Sequence, residues 1–282
     1  MKTGLVLEGG ALRGLFTAGV LDVMMENGLS VDAIVGVSAG AVFGCNFKSR
    51  QIGRTIRYNK KYCREWRFAS FRSLLFTGDY YGADFCYRRI PEELDVFDVK
   101  TYQSNSMTFD VVATDVETGE TAYHRCESAM GEDLKWMRAS ASMPMASQPV
   151  EMDGHMYLDG GIADSIPLQY MERLGFPHSI VILTQPQGFV KQPNRLLPLL
   201  RIVLRRYPNT VKALETRHER YNQTIAEICQ KEKAGQILVI RPDEALKIGA
   251  REKNEQELER VYQLGRKTGQ RRIDEIRAFI AR

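Results

Sequence analysis

Apolar residues come in short blocks closed by glycine or charge, and the blocks alternate with stretches of helical spacing. Leu5-Val6-Leu7 is stopped by Glu8-Gly9-Gly10-Ala11-Leu12-Arg13-Gly14, after which Phe16, Val20, Val23 and Met24 recur at helical spacing until Asn27-Gly28. This predicts a strand, a glycine loop and a helix. Val31-Asp32-Ala33-Ile34-Val35-Gly36-Val37 then reads as a buried strand that breaks at Ser38 and passes into a helix through Ala39-Gly40-Ala41-Val42. Two strands with one helix between them predict a parallel β-α-β unit, since parallel strands need a crossover. Their ends would lie side by side on the sheet edge where open α/β folds place ligands.

Further strands are expected at Met107 to Val112 and Thr121 to His124, joined by a turn at Glu117-Thr118-Gly119-Glu120. A helix over Glu132 to Ala141 ends near Pro144, and a hairpin turns at Asp153-Gly154 within Val150 to Tyr157. Leu158-Asp159-Gly160-Gly161 delivers a carboxylate to a strand end where backbone can approach closely. Ser179 to Thr184 is the last clear core strand. Beyond Gln185 the pattern changes: Pro186, Gly188, Pro193 and Pro198 punctuate a loop, and charged helix follows, with one apolar strand candidate at Ile237 to Ile240.

Two stretches are rich in cations. From about Gln51 to Asp98, Arg54, Arg57, Lys60, Lys61, Arg64 and Arg67 interleave with Tyr58, Tyr62, Trp66, Phe68, Phe71 and Phe76. Helices and loops inserted over the active edge are expected; a solvated basic face is the plainer reading, a cap meeting a lipid-like or aromatic substrate the other. Arg195, Arg201, Arg205, Arg206, Lys212, Arg217 and Arg220 likewise read as a solvated helix surface ahead of an anionic-membrane face.

Composition narrows the class. A chain of 282 residues, 44% apolar and 26% charged, can bury one large core. Its net charge of +4 gives no argument for nucleic acid. Five scattered cysteines without a CxxC pair suggest reduced thiols of a cytoplasmic protein rather than a disulfide framework or a zinc site. No signal peptide is readable at the amino terminus, and no apolar run approaches the roughly 20 residues of a bilayer span, so membrane contact is expected to be peripheral.

Gly36-Val37-Ser38-Ala39-Gly40 is a GxSxG turn. Small neighbours let a strand reverse into a helix and expose the serine hydroxyl over first-turn amides that favour developing negative charge. A turn without chemistry is equally consistent with the pentapeptide. A serine needs a base. His155 lies four residues before Asp159 on one strand, about 13 Å away at about 3.3 Å per residue, so it cannot bridge Asp159 and Ser38. His178 opens its strand at the far edge, His218 lies in the charged tail, and His124 sits on a hairpin without context. A Ser38–Asp159 dyad is simpler. It requires a desolvated carboxylate, because an aspartate of pKa about 3.9 is a feeble base at neutral pH. The Gly9-Gly10-Ala11-Leu12-Arg13-Gly14 loop supplies amides for an oxyanion on the same edge, and Arg13 would fix that loop or attract a phosphate head group. Nucleotide binding is disfavoured: no Lys-Ser or Lys-Thr closes a P-loop, Ala11 stands where GxGxxG needs glycine, and Glu8 would repel a pyrophosphate.

Taken in order, Glu8-Gly9-Gly10-Ala11-Leu12-Arg13-Gly14, Gly36-Val37-Ser38-Ala39-Gly40 and Asp159-Gly160-Gly161 resemble the three blocks of patatin-like phospholipases over about Lys2 to Gln185. Arg138-Ala139-Ser140-Ala141-Ser142-Met143-Pro144 resembles the family's small-residue helix ahead of the aspartate. The resemblance implies a three-layer α/β/α sandwich around a mostly parallel central sheet, assigned to residues 1–190; the changed pattern beyond it reads as a mainly helical C-terminal extension, 191–282, which matches no motif of the family. It implies metal-free and cofactor-free hydrolysis of lipid acyl esters, with Ser38 as nucleophile and Asp159 as proton acceptor. Gly9, Gly10, Ala11, Arg13 and Gly14 would frame the oxyanion hole, Gly36 and Gly40 the elbow, and Gly160 and Gly161 the turn after the aspartate. Two departures are visible. Ala11 replaces a glycine but keeps its N–H, and Asp164-Ser165 replaces an asparagine, which bears on the hydrogen bonding behind Asp159. A catalytically silent lipid-binding or scaffolding protein of the same fold is the alternative, against which the presence of both Ser38 and Asp159 argues.

Overall fold

The first two strands, β1 (Gly4–Leu7) and β2 (Ala33–Val37), are buried at every position. That explains why their sequences run apolar without alternating: both sheet faces are covered. The computed structural model describes residues 1–282. Helix α1 (Gly14–Glu26) connects the two strands, and α2 (Ala39–Lys48) leaves β2. An insertion follows, with α3 (Arg54–Tyr62), α4 (Phe71–Thr77), a wide-turn helix Phe85–Leu94 and α5 (Val99–Ser104). Then come β3 (Thr108–Asp115), β4 (Thr121–Arg125), α6 (Glu132–Ser140), β5 (Val150–Met152) and β6 (His155–Asp159). The chain closes with α7 (Leu168–Arg173), β7 (Ser179–Ile182), α8 (Leu197–Val203), α9 (Pro208–Lys233), β8 (Ile237–Ile240) and α10 (Glu255–Ile280).

These strands form one eight-stranded sheet in which β3, β2, β1, β7 and β8 are parallel neighbours. Helices cover both faces. Leu5 and Leu7 of β1 join Phe16, Phe47 and Tyr262 from α1, α2 and α10, whereas Val6 between them joins Leu168 of α7 and Tyr221 and Ile228 of α9. The period-2 alternation of a strand thus feeds two separate helix layers, which is the expected three-layer sandwich.

Residues after 190 take part in this architecture. Strand β8 extends the sheet beside β7. Helix α10 lies against α1 at close range: a Cβ on Gly265 would run into the Phe16 carbonyl, and one on Gly19 into that of Tyr262. The Tyr262 hydroxyl donates to Asp22 Oδ2 at 2.6 Å across this contact.

The ends of β1 and β2 lie side by side as expected, Leu7 pairing with Gly36, but β6, which carries Asp159, meets β2 in another way. Thr108 N–H donates toward β2 and Val116 N–H toward Met156 of β6, so these same-parity amides place β2 and β6 on one edge of β3. The register shows where the change occurs: Val112 pairs with Val37, and Ala113 pairs with Asp159. Strand β6 runs antiparallel and takes over the edge at the residue where β2 stops. The two strands therefore meet end to end. The cause is the length of β3, whose eight residues extend three past the expected Val112.

Candidate active site

Ser38 sits where β2 breaks, with φ +53° and ψ −119°. This left-half backbone geometry costs energy in a residue with a side chain, and packing of the elbow holds it. A Cβ on Gly36 would lie 2.5 Å from the Gly40 carbonyl, and one on Gly40 would overlap that of Leu7, so only glycines let α2 settle onto the strands. The end-to-end meeting of β2 and β6 brings the Ser38 hydroxyl 2.7 Å from Asp159 Oδ2, to which it donates.

A single segment fastens both residues. Ser140, at the end of α6, accepts from the Ser38 amide through its Oγ at 2.8 Å, and the Ser142 carbonyl accepts from the Asp159 amide at 2.9 Å. The Thr114 hydroxyl donates to the Asp159 carbonyl at 2.9 Å. Asp159 Oδ1 accepts from the Gly161 amide at 2.8 Å. Burial pushes the Asp159 carboxyl above the ordinary carboxylate range, while the Ser38 hydrogen bond and the Arg217 charge pull the other way. Asp164 does not back Asp159; its Oδ2 accepts from the Tyr123 hydroxyl at 3.0 Å.

In the glycine loop, the amides of Gly9 and Gly10 have no partner within the fold. Ala11 has φ +47°. Arg13 and Gly14 are different: the Arg13 amide donates to the Gly10 carbonyl and the Gly14 amide to the carbonyls of Ala11 and Leu12, so both are spent in the turn. A Cβ on Gly9 would lie 3.1 Å from that of Ser38, which sets the loop directly against the hydroxyl's base. Glu8 anchors the loop's other end, accepting from the Thr184 amide and hydroxyl and from the Tyr221 hydroxyl.

Three cations adjoin this centre. Arg217 of α9 donates through Nε to the Gly161 carbonyl. Lys191 places Nζ 4.1 Å over the Tyr221 ring, and burial, with the Arg217 charge, pushes its ammonium down to about 8. The Arg13 Nε is buried without a partner. Arg217 and Arg220 are corrections to the solvated surface expected for this stretch: Arg220 turns inward to the Ile162 and Ala213 carbonyls. A signal for this exists in the sequence, since Arg217 falls on the stripe Leu214, Tyr221 and Ile228 that α9 buries. A cation on an apolar stripe needs an acceptor.

Ser38 opens into a cavity of about 220 Å³ in which 20 of 28 lining residues are hydrophobic. Tyr58, Phe68, Tyr87 and Ile90 from the insertion wall one side, Val42 and Phe43 of α2 another. The insertion is therefore more than a solvated basic face: its aromatic side builds the cavity, and Arg54 is buried against Asn46 and Asp95. None of the four histidines reaches Ser38. His124 pairs with Asp133, His155 with Asp115 and His178 with the Phe279 carbonyl, and His218 lies beside Glu219. His124, Cys126 and Asp133 bring one possible metal-ligand atom each within 4.8 Å of one another. Asp133 is already committed to the Ser128 and Ala129 amides, and burial pushes the Cys126 thiol up, away from the thiolate a metal needs.

A sequence profile described as patatin-like phospholipase matches residues 5–171, and one described as a domain of unknown function matches residues 207–281. The chain is 31% identical to the neuropathy target esterase sws of Drosophila melanogaster over 64% of its own length and 12% of that protein's. It is 28% identical to lysophospholipase nte1 of Aspergillus niger over 62% of its length and 11% of the relative's. The chain thus spans only about an eighth of these relatives. The uncharacterized protein YjjU of Escherichia coli is 28% identical over 95% of this chain and 76% of its own. With more than half of its residues matched by the family's profile, and Ser38 and Asp159 meeting at the end of its sheet, the chain belongs to the patatin-like phospholipase family.

Proposed function

We propose that this protein is a serine acyl hydrolase that cleaves carboxylic esters of lipids. Ser38 Oγ attacks the ester carbonyl while Asp159 takes its proton; the ester C–O bond breaks and the alcohol leaves with that proton. Water, deprotonated by Asp159, then attacks the acyl-serine, releasing the fatty acid and returning the proton to Ser38. The free amides of Gly9 and Gly10, with that of Ala11, supply donors for the oxyanion, a contribution of roughly 10² to 10³ in rate per donor. The first-turn amides of α2 add positive potential beneath Ser38. The apolar cavity suits an acyl chain, and the cations Arg13, Lys191 and Arg217 favour an anionic head group. Its five free cysteines suit a reducing, cytoplasmic setting.

The observation that carries this reading is the 2.7 Å contact between Ser38 Oγ and Asp159 Oδ2 at the mouth of an apolar cavity. It is tested with a fluorophosphonate probe and a panel of p-nitrophenyl esters and lysophospholipids. Wild type should label and turn over; Ser38→Ala and Asp159→Asn should lose roughly 10⁴-fold or more in kcat, as expected for residues acting as a unit. A folded wild type that neither labels nor hydrolyses overturns it in favour of a silent lipid-binding protein, whereas undiminished turnover by Asp159→Asn removes Asp159 from the role of base and returns His124 to consideration.

A further inference from the structure

Large apolar side chains lie exposed in two places on the surface. On α4, Phe71, Leu75 and Phe76 are 63%, 81% and 70% exposed. On and just before α8, Leu196, Leu199, Ile202 and Val203 are 42–68% exposed, although the same helix buries Leu200, and Leu204 just after it, against Leu158 and Ile162. A surface helix that is apolar inward and outward calls for a partner on its outer face.

Both patches adjoin the rim of the Ser38 cavity. Residues 143–148 form that rim, with Met143, Ala146 and Ser147 lining the cavity and Met145 exposed. From the α4 side, the Tyr80 amide donates to the Ala146 carbonyl at 2.7 Å, and Asp79 Oδ1 accepts from the Gln148 amide at 3.1 Å. From the α8 side, Met143 packs with Leu197, Leu200 and Leu204.

Charge identifies the partner. From Gln185 to Leu214 the chain has no Asp or Glu, but carries Lys191, Arg195, Arg201, Arg205, Arg206 and Lys212. Of these only Arg201 has a carboxylate within 4.0 Å, that of Glu215. Arg72 on α4 lies over the Trp66 and Phe76 rings without a carboxylate partner. A second copy seated face to face would oppose cations to cations. An anionic bilayer offers hydrocarbon to the apolar tips and phosphates to the guanidinium groups at once.

We propose that α4, α8 and the 143–148 rim form the face by which this protein docks on an anionic phospholipid bilayer, opening the Ser38 cavity toward the lipid. Docking itself is independent of turnover; its role in substrate delivery rests on the acyl-hydrolase reading above.

The test is flotation of the full chain with vesicles of phosphatidylcholine alone and of phosphatidylcholine mixed with phosphatidylglycerol. Wild type should bind the mixed vesicles at least about tenfold better, less so as salt rises, since each surface cation is worth about fivefold in partition. Arg205→Gln with Arg206→Gln should reduce partition roughly tenfold or more. Leu75→Asp with Ile202→Asp should abolish it while leaving p-nitrophenyl butyrate hydrolysis within about twofold, because both side chains are exposed. Equal binding to both vesicle types, or an unaltered Leu75→Asp and Ile202→Asp double variant, overturns the proposal. So does a wild type that ignores vesicles but forms a dimer that the double variant dissolves. Wild-type vesicle binding without ester hydrolysis would sink the hydrolase reading and leave the docking face standing.

Discussion

In the proposed mechanism Asp159 combines two requirements that oppose each other: it would have to be charged to accept a proton, and it is buried, which raises its pKa. The acid limb of the pH dependence of kcat/KM should therefore lie above the ordinary aspartate value of about 3.9, and activity should fall as pH drops through the folded-state pKa. The sign for stability is the reverse. A carboxyl raised on folding binds more protons in the native state, so its contribution is fully present below the unfolded pKa and is lost as pH rises through the folded one. Asp159→Asn, which removes this charge, is expected to raise the thermal midpoint at pH 8 by about 2 °C or more while abolishing turnover; calorimetry at pH 8 checks it, and a lower midpoint contradicts it. In the sequence Ser140 is only one residue of a small-residue helix, and its use emerges from the fold: Oγ accepts from the Ser38 amide. Ser140→Ala leaves that amide unpaired and should cost about 1–3 kcal/mol in chemical denaturation, with kcat lowered and KM nearly unchanged.

At the scale of elements, the strand-turn-helix at Ser38 and the strand ending at Asp159 were legible because each is a local event, an apolar run closed by small residues. The insertion's place over the active edge was legible too, with a substrate-meeting cap as one of its two readings, but neither the residues that wall the cavity nor the inward turn of the α9 arginines was. Tyr58, Phe68 and Tyr87 lie in α3, in the loop after it and in the Phe85–Leu94 helix, so their convergence on one cavity has no single periodicity to reveal it. If this cavity receives the acyl chain, its depth beside Ser38 should set chain length. Val42 lines it from α2, one turn past the serine. Val42→Trp should lower kcat/KM for long-chain p-nitrophenyl esters about tenfold or more while short-chain esters lose little, an order of discrimination expected of added bulk in an apolar pocket. A uniform loss across chain lengths would assign the cavity another role.

Across the whole molecule, the close contact of α1 with α10 ties chain positions 240 residues apart, as in Tyr262 with Asp22. Phe16 and Tyr262 share one apolar cluster of 44 buried residues. Gly265→Leu would force the helices apart and should destabilise the protein by about 3 kcal/mol or more, seen as a lowered midpoint of a single cooperative transition that includes the active-site layer. Two separate transitions, with esterase activity surviving the first, would show instead that residues 191–282 unfold independently. By itself the sequence determined the parallel β-α-β start, the two strand ends bearing Ser38 and Asp159, and the glycine loop, because backbone conformation there follows from residues a few positions apart. Only the tertiary structure decided that β2 and β6 share an edge of β3 and meet head-on, and that Arg217 turns inward. It also decided that the insertion walls a cavity, since such contacts depend on register and packing between segments whose sequences carry no mark of one another.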